Sequence, residues 1–387
     1  MSKTVKLGDI ANVTAGQSAP QGNCFSDKGT PFIRAGSLES LLLGKRENEL
    51  ELVSEEVANA KRLKLQPAGT IVFAKSGMSC MKGYVYVLKT PCYVVSHLAC
   101  VLPKDGCSDY LAYYFKWHKP NQLVKDDAYP SISLADISNV SMKMHGKDEQ
   151  QKIAAVLDKV TALIADRKEQ LEQLDLMVKS RFVEMFGDGR FQTVRLEAIC
   201  DFITKGTTPP TSKIYDKPFE GSIPYLKVYN LSDSGELRFF QAPQYIDADI
   251  HNGLLARSKV YPNDVLMNIV GLPLGKFALV PNIFAEWNIN QAMAIFRSKG
   301  EVIPFYLMYA MMQPNVLRPF IEKAVGIRQI NLSLAQCREL EIPLPPLPLQ
   351  NRFADFVAQA DKSKLEIKQG LEEQELQYNA LMQKYFR

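Results

Sequence analysis

Ser96 and His97 stand side by side, and a hydroxyl beside an imidazole is raw material for nucleophilic catalysis. No acid or second base accompanies them in a recognisable pattern, so His97 reads as a packed or hydrogen-bonding histidine. Asp126-Asp127 has the chemistry of a metal ligand pair, yet a solvated loop accounts for it far better. The four histidines (His97, His118, His145, His251) and seven cysteines (Cys24, Cys80, Cys92, Cys100, Cys107, Cys200, Cys337) show no CxxC pair and no ligand-like spacing. A metal site is not expected. Thr207-Thr208-Pro209-Pro210-Thr211 lacks the Asp/Asn-Pro-Pro-aromatic order of an adenine methyltransferase loop. Phe186-Gly187-Asp188-Gly189 follows a long helical stretch rather than a strand, so it reads as a helix stop. No GxxxxGK[ST] phosphate loop occurs. This chain is expected to recognise or hold something rather than to catalyse.

The elements that would position such a surface come in pairs. Residues 150–186 and 350–386 align without a gap, sharing Gln150/Gln350, Ala154/Ala354, Lys168/Lys368, Leu171/Leu371, Glu172/Glu372, Leu176/Leu376 and Phe186/Phe386. The repeat continues upstream. Val5, Leu7, Ile10 and Gly16 match Val194, Leu196, Ile199 and Gly206 with one residue inserted. Pro31–Arg34 faces Pro224–Lys227, and the run from Leu65 parallels that from Val260. Ser96 onward is set against Asn290 onward, and Ile132 onward against Asn331 onward. One unit occurring twice predicts internal pseudo-two-fold symmetry.

Both long segments carry apolar residues at two positions in seven, the mark of a coiled-coil seam. In the first they are Ile153, Leu157, Val160, Ile164, Leu171, Leu174, Val178 and Met185, interrupted by Arg167 and Arg181. In the second they are Phe353, Val357, Ala360, Ile367, Leu371, Tyr378, Leu381 and Tyr385, with Lys364 and Gln374 at its more polar centre. Asp148 and Pro348 are the expected helix starts. Four regions follow: globular segments 1–147 and 187–347, a central helix 148–186 and a C-terminal helix 348–387. Chain order places the globular segments at opposite ends of the central helix, with the second helix returning antiparallel along it. Short alternating runs (70–75, 84–88, 97–102, 276–280, 292–296) read as strands, and 109–118 and 304–312 as helices. The expected class is α+β, with mostly antiparallel curved sheets.

Composition is that of a soluble globular protein: 46% apolar, 23% charged. No apolar run reaches the roughly 20 residues of a membrane helix. The start MSKTVKLGDIANV has no signal core, and unpaired cysteines suit a reducing compartment, so a cytoplasmic location is expected. The net charge of +4 is concentrated in the globular segments, +5 for 1–147 and +1 for 187–347, which permits nucleic-acid binding without requiring it.

The tandem starts VKLGDIANVTAGQ and VRLEAICDFITKGTTP, the run from Gln329 to Pro346 (QINLSLAQCRELEIPLPP) and the sequence Pro348–Phe353 after it give the chain its likeness to a known family. In this order, twice over and with two long helices, it resembles the specificity (S) subunits of type I restriction–modification systems. The first copy departs at Ser141–Gly146, where the second has Glu341–Pro346. The resemblance implies two target recognition domains, each reading one half of a bipartite double-stranded DNA sequence, held apart by the helices. It implies two modification (M) subunits docked on the helical region, with restriction (R) subunits joining for cleavage. It implies no cofactor in this chain, S-adenosylmethionine entering with the M subunits and ATP and magnesium with the R subunits.

DNA recognition needs cations for phosphates and planar polar groups for base edges. Loops beside the repeated anchors supply both: Gln17, Arg34, Lys75, Ser76, Lys82 and Tyr84 in the first segment, and Lys205, Thr207, Thr208, Lys227, Tyr229, Asn268, Lys276, Asn290 and Gln291 in the second. The alternative is a two-domain interaction scaffold with no DNA role, which strong loss of DNA affinity with salt would exclude.

Overall fold

The computed structural model describes residues 3–21, 24–324 and 330–387. Gln329, the first residue of the second-copy run quoted above, lies outside them. The chain forms two compact units, Met1–Glu169 with Ile367–Arg387, and Gln170–Glu366. Each unit therefore contains one globular segment and half of each long helix.

The first unit is built on a four-stranded antiparallel sheet in the order Ala11–Ala15, Leu98–Pro103, Ile71–Ala74, Val85–Val87. Every residue of Ile71–Ala74 is buried, so this strand reads as an unbroken apolar run rather than an alternating one. A smaller sheet orders Leu52–Val53, Thr30–Ile33 and Tyr93–Val94, and its second pair is parallel. That parallel pair is the exception within sheets that are otherwise antiparallel, as expected. It forms because the long excursion from Ile33 to Tyr93 brings the chain back in the same direction. The helix Ser108–Trp117 covers the main sheet, with Phe115 tilted on Phe73 at 5.1 Å.

The second unit repeats this plan. Its main sheet runs Cys200–Lys205, Met293–Ser298, Val265–Asn268, Phe277–Leu279, and its smaller sheet again contains a parallel pair, Ile223–Leu226 with Trp287–Ile289. The one-residue insertion between Ile199 and Gly206 is absorbed as a bulge: Cys200 faces Ser298 and Phe202 faces Arg297, leaving Asp201 without a cross-strand partner.

Hydrogen bonds fix the correspondence between the copies. Gly16 donates to the Leu98 carbonyl, and Gly206 to that of Met293. Leu98 thus corresponds to Met293, and Ser96 to Gln291 rather than Asn290. The sequence alignment is corrected there by one position, because near-featureless apolar runs can slide whereas a strand ladder cannot. Ile132 and Leu332 donate to the equivalent carbonyls of Lys75 and Ile269. Ser133 and Ser333 cap equivalent short helices, accepting from the amides of Asp136 and Gln336.

The segment Ser141–Met144 pairs antiparallel with Lys3–Lys6, and Glu341–Pro343 with Thr193–Arg195. The turns into the two long helices are thus built alike although their residues differ. The helices are Lys147–Phe186 and Leu347–Phe386, 40 residues each and each starting one residue before the expected position. Gly187 ends the first, its amide returning to the Val183 carbonyl at 2.7 Å.

Their seam residues turn inward. Ile153, Leu157, Val160, Val178, Phe353 and Val357 are buried. Ile164, Leu171, Leu174, Ile367, Leu371, Tyr378 and Leu381 are half-buried. In the first unit Ile153 and Leu157 share a core with Met382 and Phe386; in the second Val178, Phe182 and Met185 share one with Phe353, Val357 and Ala360. Within the second unit Asp175 meets Lys364 at 2.6 Å and the Phe182 ring meets that of Phe353 at 5.3 Å. Partner numbers fall as they rise, so the helices run antiparallel.

Candidate nucleic-acid interface

Antiparallel topology gathers the loops of each unit at one end of its main sheet. In the first, Ala15 pairs with Ala99, Ala74 with Leu98 and Phe73 with Val85. The segments after Ala15 and Ala74, and those before Leu98 and Val85, therefore emerge together. They carry Gln17, Lys75, Ser76, Lys82, Tyr84 and His97. Arg34 joins them because Ile33 pairs with Val94 at the parallel strand end. A cleft of about 600 Å³ is bounded by the 18–21 loop, Phe25, Arg34, Glu51 and Val95–His97. A groove of about 850 Å³ adjoins it through Phe25, Arg34 and Glu51.

Arg34 sits where the two depressions meet. Its guanidinium pairs with Glu51 and lies 5.1 Å from the centre of the Phe25 ring. That pairing fixes the plane of the guanidinium while leaving it half-exposed, which suits an arginine that presents donors edge-on to a base or phosphate. Ser76 and His97 hydrogen-bond at 2.8 Å, so the histidine is engaged across the sheet end and not with its neighbour Ser96.

Three first-unit candidates prove to be occupied with internal work. Gln17 donates to the Arg62 carbonyl at 3.0 Å and accepts from the Lys64 amide, tethering the 62–64 loop. Lys82 and Tyr84 both bind the Glu39 carboxylate, at 2.6 and 3.1 Å. The hydrogen bond from Lys82 holds Glu39 below its ordinary carboxylate value, and Lys82 is raised by the same bond. Spacing alone could not reveal this, because Glu39 is more than 40 positions distant.

The second unit assembles the equivalent end. Lys205 pairs with Ala294, Asn268 with Met293 and Met267 with Phe277. This brings Lys205, Thr207, Thr208, Asn268, Lys276, Asn290 and Gln291 together, with Lys227 beside Asn290 at the parallel strand end and Tyr229 exposed just beyond. Thr208 Oγ1 accepts from the Gln291 amide at 3.4 Å. Thr207 Oγ1 accepts from Arg257 at 3.2 Å. Arg257 was not foreseen, since it lies in a single 3-10 turn, Ala256–Ser258, that no periodicity marks. Asn290 Oδ1 is buried without a partner among the described residues. Lys75, Lys205, Lys227 and Lys276 have no carboxylate within 4.0 Å among the described residues. Lys75 stands on the rim of the first unit and the other three on that of the second, and unpaired cations on a rim are what phosphate binding requires.

Asn268 is the clearest correction. It is 1% exposed, donates to the Pro273 carbonyl at 2.8 Å and accepts from the Lys276 amide at 2.6 Å. It therefore closes the 269–275 loop from beneath, and its side chain is not offered to the surface.

Glycine makes the close approach at each sheet end possible. A Cβ on Gly16 would stand 2.2 Å from the carbonyl oxygens of Val94 and Val95, and one on Gly206 2.1 Å from that of Asn290. These two glycines let the first loop of each unit lie directly on the parallel strand.

Two similar domains with basic, loop-built rims, carried on an antiparallel helix pair, define a duplicated DNA-recognition protein. The chain matches the family of the type I restriction modification DNA specificity domain twice, over residues 2–174 and 189–377, and it belongs to that family. It is 29% identical to the type I restriction enzyme MjaIX specificity subunit of Methanocaldococcus jannaschii, over 91% of this chain and 85% of that protein. Its fold is similar to that of a chain solved in a study of complex assembly and conformational transition of a type I R-M system (TM-score 0.60, 17% identity, covering 100% of this chain and 97% of that one). It is also similar to the type I restriction–modification S subunit of M. genitalium (TM-score 0.57, 13% identity, 100% and 96% covered). This is a DNA specificity protein.

Proposed function

We propose that each unit reads one half of a bipartite DNA target and that the helix pair sets the gap between the halves. The observation that carries this is the duplicated sheet end: two rims of the same construction, Gly16 with Val95 and Gly206 with Asn290, lined by different side chains. Identical construction with different linings suits two half-sites of different sequence. The chain itself is non-catalytic on this reading. Two M subunits bind it with S-adenosylmethionine, R subunits add ATP-dependent, magnesium-dependent cleavage, and the assembly works in the cytoplasm. Among the described residues no helix is long and apolar enough to cross a membrane. The repeat supports two M subunits, since two equivalent surfaces on one chain accept two copies of one partner.

The test is to co-express the chain with methylation subunits and map methylated adenines genome-wide. Exchanging residues 1–140 for those of another family member should change one half-site and leave the other. A change in both half-sites would defeat the reading of independent domains, and light scattering showing one M subunit per chain would defeat the two-partner arrangement.

A further inference from the structure

Asn268, withdrawn above as a DNA contact, holds a loop whose shape is otherwise unexplained. From Val270 the chain runs Gly271-Leu272-Pro273-Leu274-Gly275, with both glycines in the left-handed region (φ +84° and +79°). Gly271 donates to the Ile330 carbonyl at 2.9 Å, Leu274 is buried, and Asn268 grips both flanks. On this braced loop Leu272 is 74% exposed.

The first unit has the same device from different residues. Gly77 (φ +76°) donates to the Pro130 carbonyl at 2.9 Å, Cys80 is buried beneath, and Asn121 donates to the Met81 carbonyl at 3.1 Å. On it Met78 is 73% exposed. Gly77 and Gly271 occupy the same place, since Ser76 bridges Ser131 as Val270 bridges Asn331. A Cβ on either glycine would meet nothing, so backbone conformation and not crowding calls for glycine there.

An isolated exposed apolar residue carries little information. Here two occur at equivalent positions of a diverged duplication, each pinned outward by a loop too well bonded to fold it away. Each lies on the rim that carries the unpaired lysines, Lys75 in the first unit and Lys276 in the second. We propose that Met78 and Leu272 are wedges, each inserted at a base step of its own half-site while the lysines hold the backbone. Apolar side chains presented rigidly to DNA unstack and kink a step, and the energy of doing so depends on the step's sequence. The wedges thus add specificity at positions without base-edge contacts. This inference rests on the DNA reading above.

The test uses the complex with its methylation subunits and duplexes carrying the mapped target, with Met78→Ala and Leu272→Ala. Loss of one large apolar contact weakens specific binding about tenfold. The slope of log affinity against log salt stays at the wild-type value, because no phosphate contact is lost. Met78→Leu and Leu272→Met retain most of the affinity. A single mismatch at the wedged step, which lowers the cost of unstacking, restores binding to the alanine variant of that half-site only. Unchanged affinity in both alanine variants overturns the wedges, as does a loss accompanied by a shallower salt slope. A wild-type complex that binds the duplex no better than random DNA overturns the DNA reading itself, and is distinguished by failing before any variant is made.

Discussion

Gln350 does in the second unit what Gln150 does in the first: each is buried near the start of a long helix and accepts a hydrogen bond from the amide that begins a short helix of the globular segment. Gln150 Oε1 accepts from Cys107 at 3.3 Å, and Gln350 Oε1 accepts from Ile303 at 2.9 Å. Their amide groups donate to the His145 carbonyl in one case, and to those of Pro345 and Glu301 in the other. A glutamine is used because one side chain must satisfy both a helix-end donor and turn carbonyls.

Truncation to alanine should therefore strand buried backbone groups. We expect Gln350→Ala to cost about 2–3 kcal/mol and Gln150→Ala about 1–2 kcal/mol, the difference following the third bond of Gln350. Urea midpoints of the purified chain check this, and equal effects would count against the assignment.

Gly16→Ala and Gly206→Ala should each cost at least about 3 kcal/mol, because the new methyl would meet a backbone carbonyl that has no rotamer with which to yield. By contrast Gly146→Ala, whose Cβ would meet nothing within 4 Å, should be nearly neutral. Thermal melts of the three variants decide between local crowding and general sensitivity to glycine loss.

His251 gives the second unit a pH dependence. It is buried, bonded through Nε2 to Glu286 at 3.0 Å and through Nδ1 to Asn288 at 3.1 Å, with Lys259 also near Glu286. Burial holds its imidazole below the ordinary value of 6.5, the Glu286 bond opposing this only in part. The folded chain thus binds its proton less readily than the unfolded chain. Stability is full above pH 6.5 and falls as pH drops below it, by at most about 1.4 kcal/mol per pH unit for one proton. Trp287, on the same strand as Asn288, reports this in a Trp117→Phe background. The slope should flatten in His251→Gln.

The ruler reading predicts that four residues inserted into each helix, near Glu172 and Glu372, add about 6 Å and widen the methylated gap by roughly two base pairs. Paired insertions keep the seams facing better than a single one, since a four-residue stutter unwinds a coiled coil only slightly. An active variant that kept the original gap would rule out the ruler.

The sequence by itself determined the duplication, the helix pair and the seam, because heptads and paired glycines are local patterns that survive divergence. The strand runs at 70–75 and 276–280 were likewise legible from their β-branched and apolar content. What the tertiary structure decided was which polar residues are free. Lys82 and Lys75 look alike in sequence, yet only Lys82 meets a carboxylate, from a helix 43 positions upstream. Asn268 and Asn290 look alike as strand-end amides, yet one is buried beneath a loop and the other lines the rim. Met78 and Leu272 directly follow Gly77 and Gly271, which end the parallel runs from Leu65 and Val260, but their exposure and the Pro130 and Ile330 carbonyls that hold their loops belong to the tertiary structure. Exposure and hydrogen-bond occupancy depend on residues brought together by sheet pairing, and no local pattern encodes that.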